Sequence, residues 1–235
     1  MKIDILAFGA HPDDVELSYA GTIMKNIALG KRVGIIDLTR GELGTRGTPA
    51  IRAKEANKAA RVMGVSFREN LNMADGFFLN DKKHVLKVIQ KIRQYKPDVV
   101  LANAHQDRHP DHGRGAQLVA DACFLSGLLK IKSKLNNKQQ DPWRPKAVYH
   151  YIQYRKLKPD FVVDISNFMD RKMECMSSFS SQFYNPNSKE PQTLISQQNF
   201  FDYILSREKE YGDSIGVRFA EGFNSVLEQQ STVLI

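Results

Sequence analysis

Hydrophobic and polar positions follow two rhythms along this chain, and the switches between them divide its first half into strands and helices. Residues 3–8 form a short apolar run, rich enough in branched side chains to be a buried strand. Helical spacing follows over 17–29 and stops at Gly30, a natural helix C-cap. Residues 33–38 read as a second strand, leading into a Gly- and Thr-rich loop over 40–48. Pro49–Met63 reads as a helix, with proline in its first turn and Gly64 closing it. A weaker strand over 70–73 precedes a charged helix over 82–95. Residues 97–103 enter a fourth strand, and a helix follows from about Gly115.

The second half is less regular. Residues 136–145 are polar and contain proline, which predicts a surface loop. Strands are expected over 147–154 and 161–165, and helices over 167–183 and 193–211 with a Pro/Asn/Ser loop between them. No repeat, low-complexity tract or linker interrupts the pattern, so the expectation is a single domain over residues 1–235. Alternating strands and helices predict an α/β, Rossmann-like three-layer fold, with a mostly parallel sheet and helices on both faces. The usual order places the first strand between the second and fourth. The loops leaving the first and fourth strands then flank the ligand-binding edge. They contain His11-Pro12-Asp13-Asp14 and His109-Pro110-Asp111-His112.

Composition narrows the function. No apolar stretch reaches the roughly 20 residues that span a bilayer. The N-terminal segment has no basic region followed by a small-residue cleavage site, so no membrane partner and a cytoplasmic location are expected. Cys123 and Cys175 are far apart in sequence, which argues against a thiolate metal site. The net charge of +8 invites a nucleic-acid reading. However, the densest basic stretch, 130–138, lacks interleaved aromatics, so no nucleic-acid partner is expected. A small anionic substrate fits the same basic balance. A dinucleotide module is rejected because the first turn lacks G-x-G-x-x-G.

The two His/Asp clusters carry the chemistry. A catalytic zinc site needs imidazole and carboxylate donors converging on one point, with a position left open. His11 and Asp14 can be aimed together by a tight turn, and His112 on the facing loop can add a third ligand. Each residue also has a plain alternative: Asp14 can cap a helix, and a lone His can be a surface residue.

The order of strand, Ala10-His11-Pro12-Asp13-Asp14, helix and His109-Pro110-Asp111-His112 resembles the LmbE/PIG-L-type zinc deacetylases of N-acetylglucosamine conjugates. The resemblance implies Zn2+ held by His11, Asp14 and His112, a general base at Asp13 and an oxyanion-stabilising His109. Fe2+ or another divalent metal suits the same donors. It further implies that Arg52 and Asp75 grip the sugar or its neighbours, with Ser18, Glu42 and Arg46 as additional substrate contacts. Some relatives carry Tyr where this chain has Asp107, which leaves open the polar group on the open side of the site. The partner implied is a small sugar conjugate; relatives include oligomers, so a homo-oligomer is compatible.

The segment 37–48 is also similar to the bacillithiol branch, whose substrate is N-acetylglucosaminyl L-malate. A malate group would need cations, and Arg46 suits bidentate carboxylate pairing, although a solvated side chain is the default in a Gly-rich loop. The competing readings are a deacetylase of another N-acetyl sugar, such as a chitooligosaccharide or another thiol precursor, and a non-catalytic metal-binding protein. The second would not need Asp13 and His109 together.

Overall fold

In the computed structural model, which describes residues 2–226, the chain opens as β1 (Ile5–Gly9), α1 (Asp14–Ala28), β2 (Val33–Thr39) and α2 (Pro49–Met63). It continues as β3 (Phe67–Met73), α3 (Lys82–Tyr95), β4 (Val99–Ala102) and α4 (Pro110–Ser126). A short hairpin follows, β5 (Lys134–Leu135) and β6 (Lys138–Gln139), then β7 (Ala147–Tyr151) and β8 (Phe161–Asp164). The described residues end with α5 (Met169–Ser177), α6 (Phe200–Asp213) and β9 (Ala220–Ser225).

The main sheet has the order β3-β2-β1-β4-β7-β9-β8. β1 pairs in parallel with β2 on one side and β4 on the other, so sheet growth reverses at β1 as the pattern predicts. Every position of β1 and β2 is buried, because helices cover both faces. Alternation along β1 divides the core: Ile5 and Ala7 join the cluster under α1, α2 and α5, while Leu6 and Phe8 join the cluster under α3 and α4. This is the three-layer α/β arrangement expected. Among the described residues no helix is long and apolar enough to cross a membrane.

Local punctuation explains the elements read correctly. Thr48 caps α2 by accepting from the Ile51 amide, Pro49 occupies its first turn, and Gly64 ends it in a left-handed conformation. Several expectations are corrected. α4 begins at Pro110 rather than near Gly115, because His109 serves as its N-cap. The cluster at 109–112 therefore straddles a helix start, and His112 stands on the first turn of α4 rather than in a loop. β3 starts at Phe67, three residues early, where the Phe67 ring lies across Gly34; a Cβ there would come within 2.2 Å of that ring.

The second half departs further from the pattern. The stretch expected as loop overlaps a hairpin that turns at Asn136 and Asn137, both at positive φ. The helices expected over 167–183 and 193–211 are Met169–Ser177 and Phe200–Asp213. β9 was not expected: it enters antiparallel between β7 and β8.

Candidate active site

Gly9 ends β1 and the chain turns through His11–Asp13 before α1 begins at Asp14. The turn is tight, and a Cβ on Gly9 would sit 3.1 Å from the His11 carbonyl and 3.3 Å from the Asp14 Cβ. Asp13 is held at φ 123°, a conformation that L-residues rarely adopt, and its side chain makes no capping bond. Its carboxylate is thereby directed away from the helix. Oδ2 lies 3.0 Å from Arg52 Nη2, and both residues line a cleft of about 320 Å³ at the carboxyl edge of the sheet.

Asp14 is tethered on both oxygens. Oδ2 accepts from the His11 amide and from Asn103 Nδ2, each at 2.9 Å. Oδ1 accepts from Gln153 Nε2 at 2.6 Å and lies 3.2 Å from His112 Nε2. His11 Nδ1 is 3.7 Å from Asp14 Oδ2. His11 and His112 thus flank the Asp14 carboxylate, each near a different oxygen, and imidazole and carboxylate donors of this kind are those that bind zinc. Among the described residues, two sets each bring three donor atoms within 4.8 Å of one another: His11–His109–His112 and His11–Asp75–Asp111. Asp14 adjoins the first set through both His11 and His112.

Each of these two histidines has its other nitrogen on a carboxylate. Asp107 Oδ2 is 2.5 Å from His112 Nδ1, and Asp75 Oδ1 is 2.9 Å from His11 Nε2. Such carboxylate–histidine pairs orient imidazole ligands in metal sites. The polar residue left open in the sequence, Asp107, thus lies behind His112. Its Oδ1 accepts from the amides of Tyr154 and Arg155.

Electrostatics favour positive charge at the centre. Burial opposes a charge on His11, yet Asp111, Asp75 and Asp14 outweigh it and lift its pKa to about 10. His112 is lifted to about 9 against burial by Asp14 and Asp107. Despite its own burial, Asp14 is held well below the usual carboxylate range by His112 and His11. Burial pushes Asp13 up to about 7, against the pull of Arg52. His109 is lowered by burial and by the charges of His11 and His112. Its Nδ1 accepts from the Asp111 amide at 3.2 Å, which fixes the tautomer carrying hydrogen on Nε2.

The remaining sequence candidates fall in different places. Arg52 lies in the cleft wall, donating to the carbonyls of Pro12 and Gly41 as well as facing Asp13. Only glycine fits at 41, where φ is +64° and a Cβ would lie 2.0 Å from Arg52 Nη1. Arg46 is not the solvated loop residue expected by default: it is 4% exposed and lines the cleft. Its Nε and Nη2 find no hydrogen-bond partner among the described residues, with Glu190 3.8 Å away.

Glu42 is half-buried outside the lining, where it receives the amides of Arg40 and Asp75 and fixes the loop beside Asp75. Ser18 is not brought to the cleft. It is buried on the first stretch of α1, and its carbonyl accepts from Lys172. Asn103 and Gln153 are given no role by the sequence. Single amides give no pattern signal, although Asn103 does end the buried run of the fourth strand.

Residues 6–123 match the family model described as PIG-L: GlcNAc-PI de-N-acetylase. The chain is 27% identical to the diacetylchitobiose deacetylase of Thermococcus kodakarensis, over 94% of this chain and 82% of that protein. It is 23% identical to the probable N-acetyl-alpha-D-glucosaminyl L-malate deacetylase 2 of Bacillus anthracis, over 76% of this chain and 81% of that protein. The conserved protein TT1542 of Thermus thermophilus has a crystal structure that superposes with a TM-score of 0.86 at 33% identity, covering 98% of this chain and 97% of that one.

Proposed function

The chain belongs to the PIG-L family and is a hydrolytic N-deacetylase, and we propose that it removes the acetyl group from an N-acetylglucosamine unit of a small conjugate, within one domain over residues 1–235. The observation that carries this reading is the division of labour in one turn. Asp14 faces His11 and His112, while its neighbour Asp13 faces Arg52 across the cleft.

His11, Asp14 and His112 would hold the metal, with Zn2+ the first choice and Fe2+ suited to the same donors. When bound, the ion supplies a Lewis acid that polarises the acetyl carbonyl and acidifies water. Asp13 accepts a proton from the attacking water and returns it to the departing nitrogen. The amide C–N bond breaks, the acyl carbon gains the hydroxyl, and acetate and a free amine result. His109 donates its Nε2 hydrogen to the developing oxyanion as a neutral imidazole, an effect typically worth about 3 kcal/mol. Arg52 keeps Asp13 turned toward the cleft.

Two substrate classes are supported by different observations. Likeness to the diacetylchitobiose deacetylase favours a short N-acetylglucosamine oligomer. The buried guanidinium of Arg46, which lines the cleft and leaves Nε and Nη2 without hydrogen bonds beside a distant, half-exposed Glu190, favours an anionic conjugate such as N-acetylglucosaminyl L-malate. The deciding experiment is acetate release from the malate conjugate, from diacetylchitobiose and from N-acetylglucosamine, each with a metal-stripped control. Metal-dependent turnover of one conjugate identifies the class. No turnover of any by zinc-loaded protein would remove the reading.

A further inference from the structure

α1 is two helical pieces joined at Tyr19, whose φ of −151° and ψ of 29° are not helical. A break of this kind frees backbone groups inside the core, where each must find a partner. Side chains from the second half of the chain supply them. Arg207 donates from Nη2 to the Leu17 carbonyl at 2.9 Å, and Lys172 Nζ donates to the Ser18 carbonyl at 3.2 Å. Glu221 receives the amides of Gly21 and Thr22 at 3.1 and 2.7 Å. Glu208 closes the cluster, its Oε1 lying 2.6 Å from both Lys172 Nζ and Arg207 Nη2. Two cations face two carboxylates, and none of the four is more than 7% exposed.

Arg207 does more than complete this cluster. Its Nη1 donates to the Gln153 carbonyl, and the Gln153 side chain in turn donates to Asp14 Oδ1 at 2.6 Å. One planar guanidinium thus ties the helical piece beginning at Asp14 to the residue that orients the Asp14 carboxylate. We propose that Arg207 is a positioning residue for the metal site, acting through the Leu17 carbonyl and Gln153 to fix where Asp14 presents Oδ1. A point charge cannot replace it, because the two carbonyls lie on different segments and need a forked donor. The proposal rests on the reading of Asp14 as a metal ligand. The residues that do the positioning, Gln153 and Arg207, lie beyond 6–123, the span matched by the family model.

The test compares the full chain with Arg207→Lys, which keeps the charge beside Glu208, and Gln153→Met, which keeps the volume and removes the amide. Zinc dissociation constants by chelator competition, kcat, KM and the melting temperature of metal-free protein are measured for each. Both variants are expected to bind zinc at least about tenfold more weakly and to lose kcat comparably. KM should stay within about threefold. A merely structural role would lower the melting temperature and leave the zinc affinity of folded protein unchanged. Zinc affinity within about twofold of the parent in folded variants overturns the proposal. Should Arg207→Lys not fold, Arg207→Gln, which keeps a side-chain amide donor, is measured in its place by the same criteria, and Gln153→Met reports only the last link to Asp14. If the parent itself holds no divalent ion, the reading of Asp14 as a ligand fails instead. Hydrogen exchange at residues 15–18 of metal-free protein then judges Arg207: faster exchange in Arg207→Lys supports its hold on the turn, and unchanged exchange overturns it.

Discussion

Arg52 Nη2 stands 3.0 Å from Asp13 Oδ2, and both groups are almost wholly buried. An arginine reserved for substrate would leave its partner until substrate arrives, whereas this one already faces the proposed base. Arg52→Met should therefore lower kcat by about one to two orders of magnitude while zinc content stays unchanged. Steady-state kinetics distinguish the roles, since a rise in KM at constant kcat would mark Arg52 as a substrate grip only.

Asp13→Asn keeps the shape of the side chain and removes its basicity. Turnover should fall by roughly two or more orders of magnitude with the metal retained. Metal analysis alongside the kinetics checks both halves of that statement. Retained activity would rule out Asp13 as the base.

His112 depends on Asp107 for the placement of its ring. Asp107→Asn should weaken zinc binding by about 10- to 100-fold, and His112→Ala should weaken it further. Chelator competition measures the order. An unchanged zinc content in His112→Ala would take that residue out of the ligand set.

Arg46 separates the two substrate classes. Arg46→Gln should raise KM for the malate conjugate by about tenfold or more, because a charge-assisted pair is lost. KM for diacetylchitobiose should change little. Equal effects on both substrates would place Arg46 against the sugar common to them.

Gly34 gives a prediction about stability alone. The Phe67 ring occupies the space of its missing side chain, so Gly34→Ala should destabilise the fold by about 1–3 kcal/mol. Denaturant unfolding measures this, and a neutral effect would mean that β3 shifts freely against β2.

The legible parts of this fold were those marked by backbone chemistry. Pro49 and Gly64 bracket α2 at its observed ends, and the apolar runs of β1 and β2 identify strands buried on both faces. The two His/Asp clusters were legible as neighbours because strand order alone brings the ends of β1 and β4 together. What could not be read depends on distant partners. Arg68 and Glu69 disguise β3 as polar, yet Arg68 is buried against Asp37 and Glu16. Glu221 disguises β9 in the same way, its charge being met by Lys172 from α5. Gln153 is a lone amide whose role appears only when β7 is laid beside β4.

The position of β9 also has a consequence for how the protein is made. Strands β1 to β4 and β7 can add to one another as they emerge from the ribosome, since each docks beside a strand already present. β9 instead inserts between β7 and β8, both of which precede it in synthesis. Until residues 220–225 have emerged, Glu221 cannot reach Gly21 and Thr22, and the two pieces of α1 lack part of their buried support. The nascent chain therefore carries His11 and Asp14 well before the later half of α1, which follows them, has its full set of buried partners.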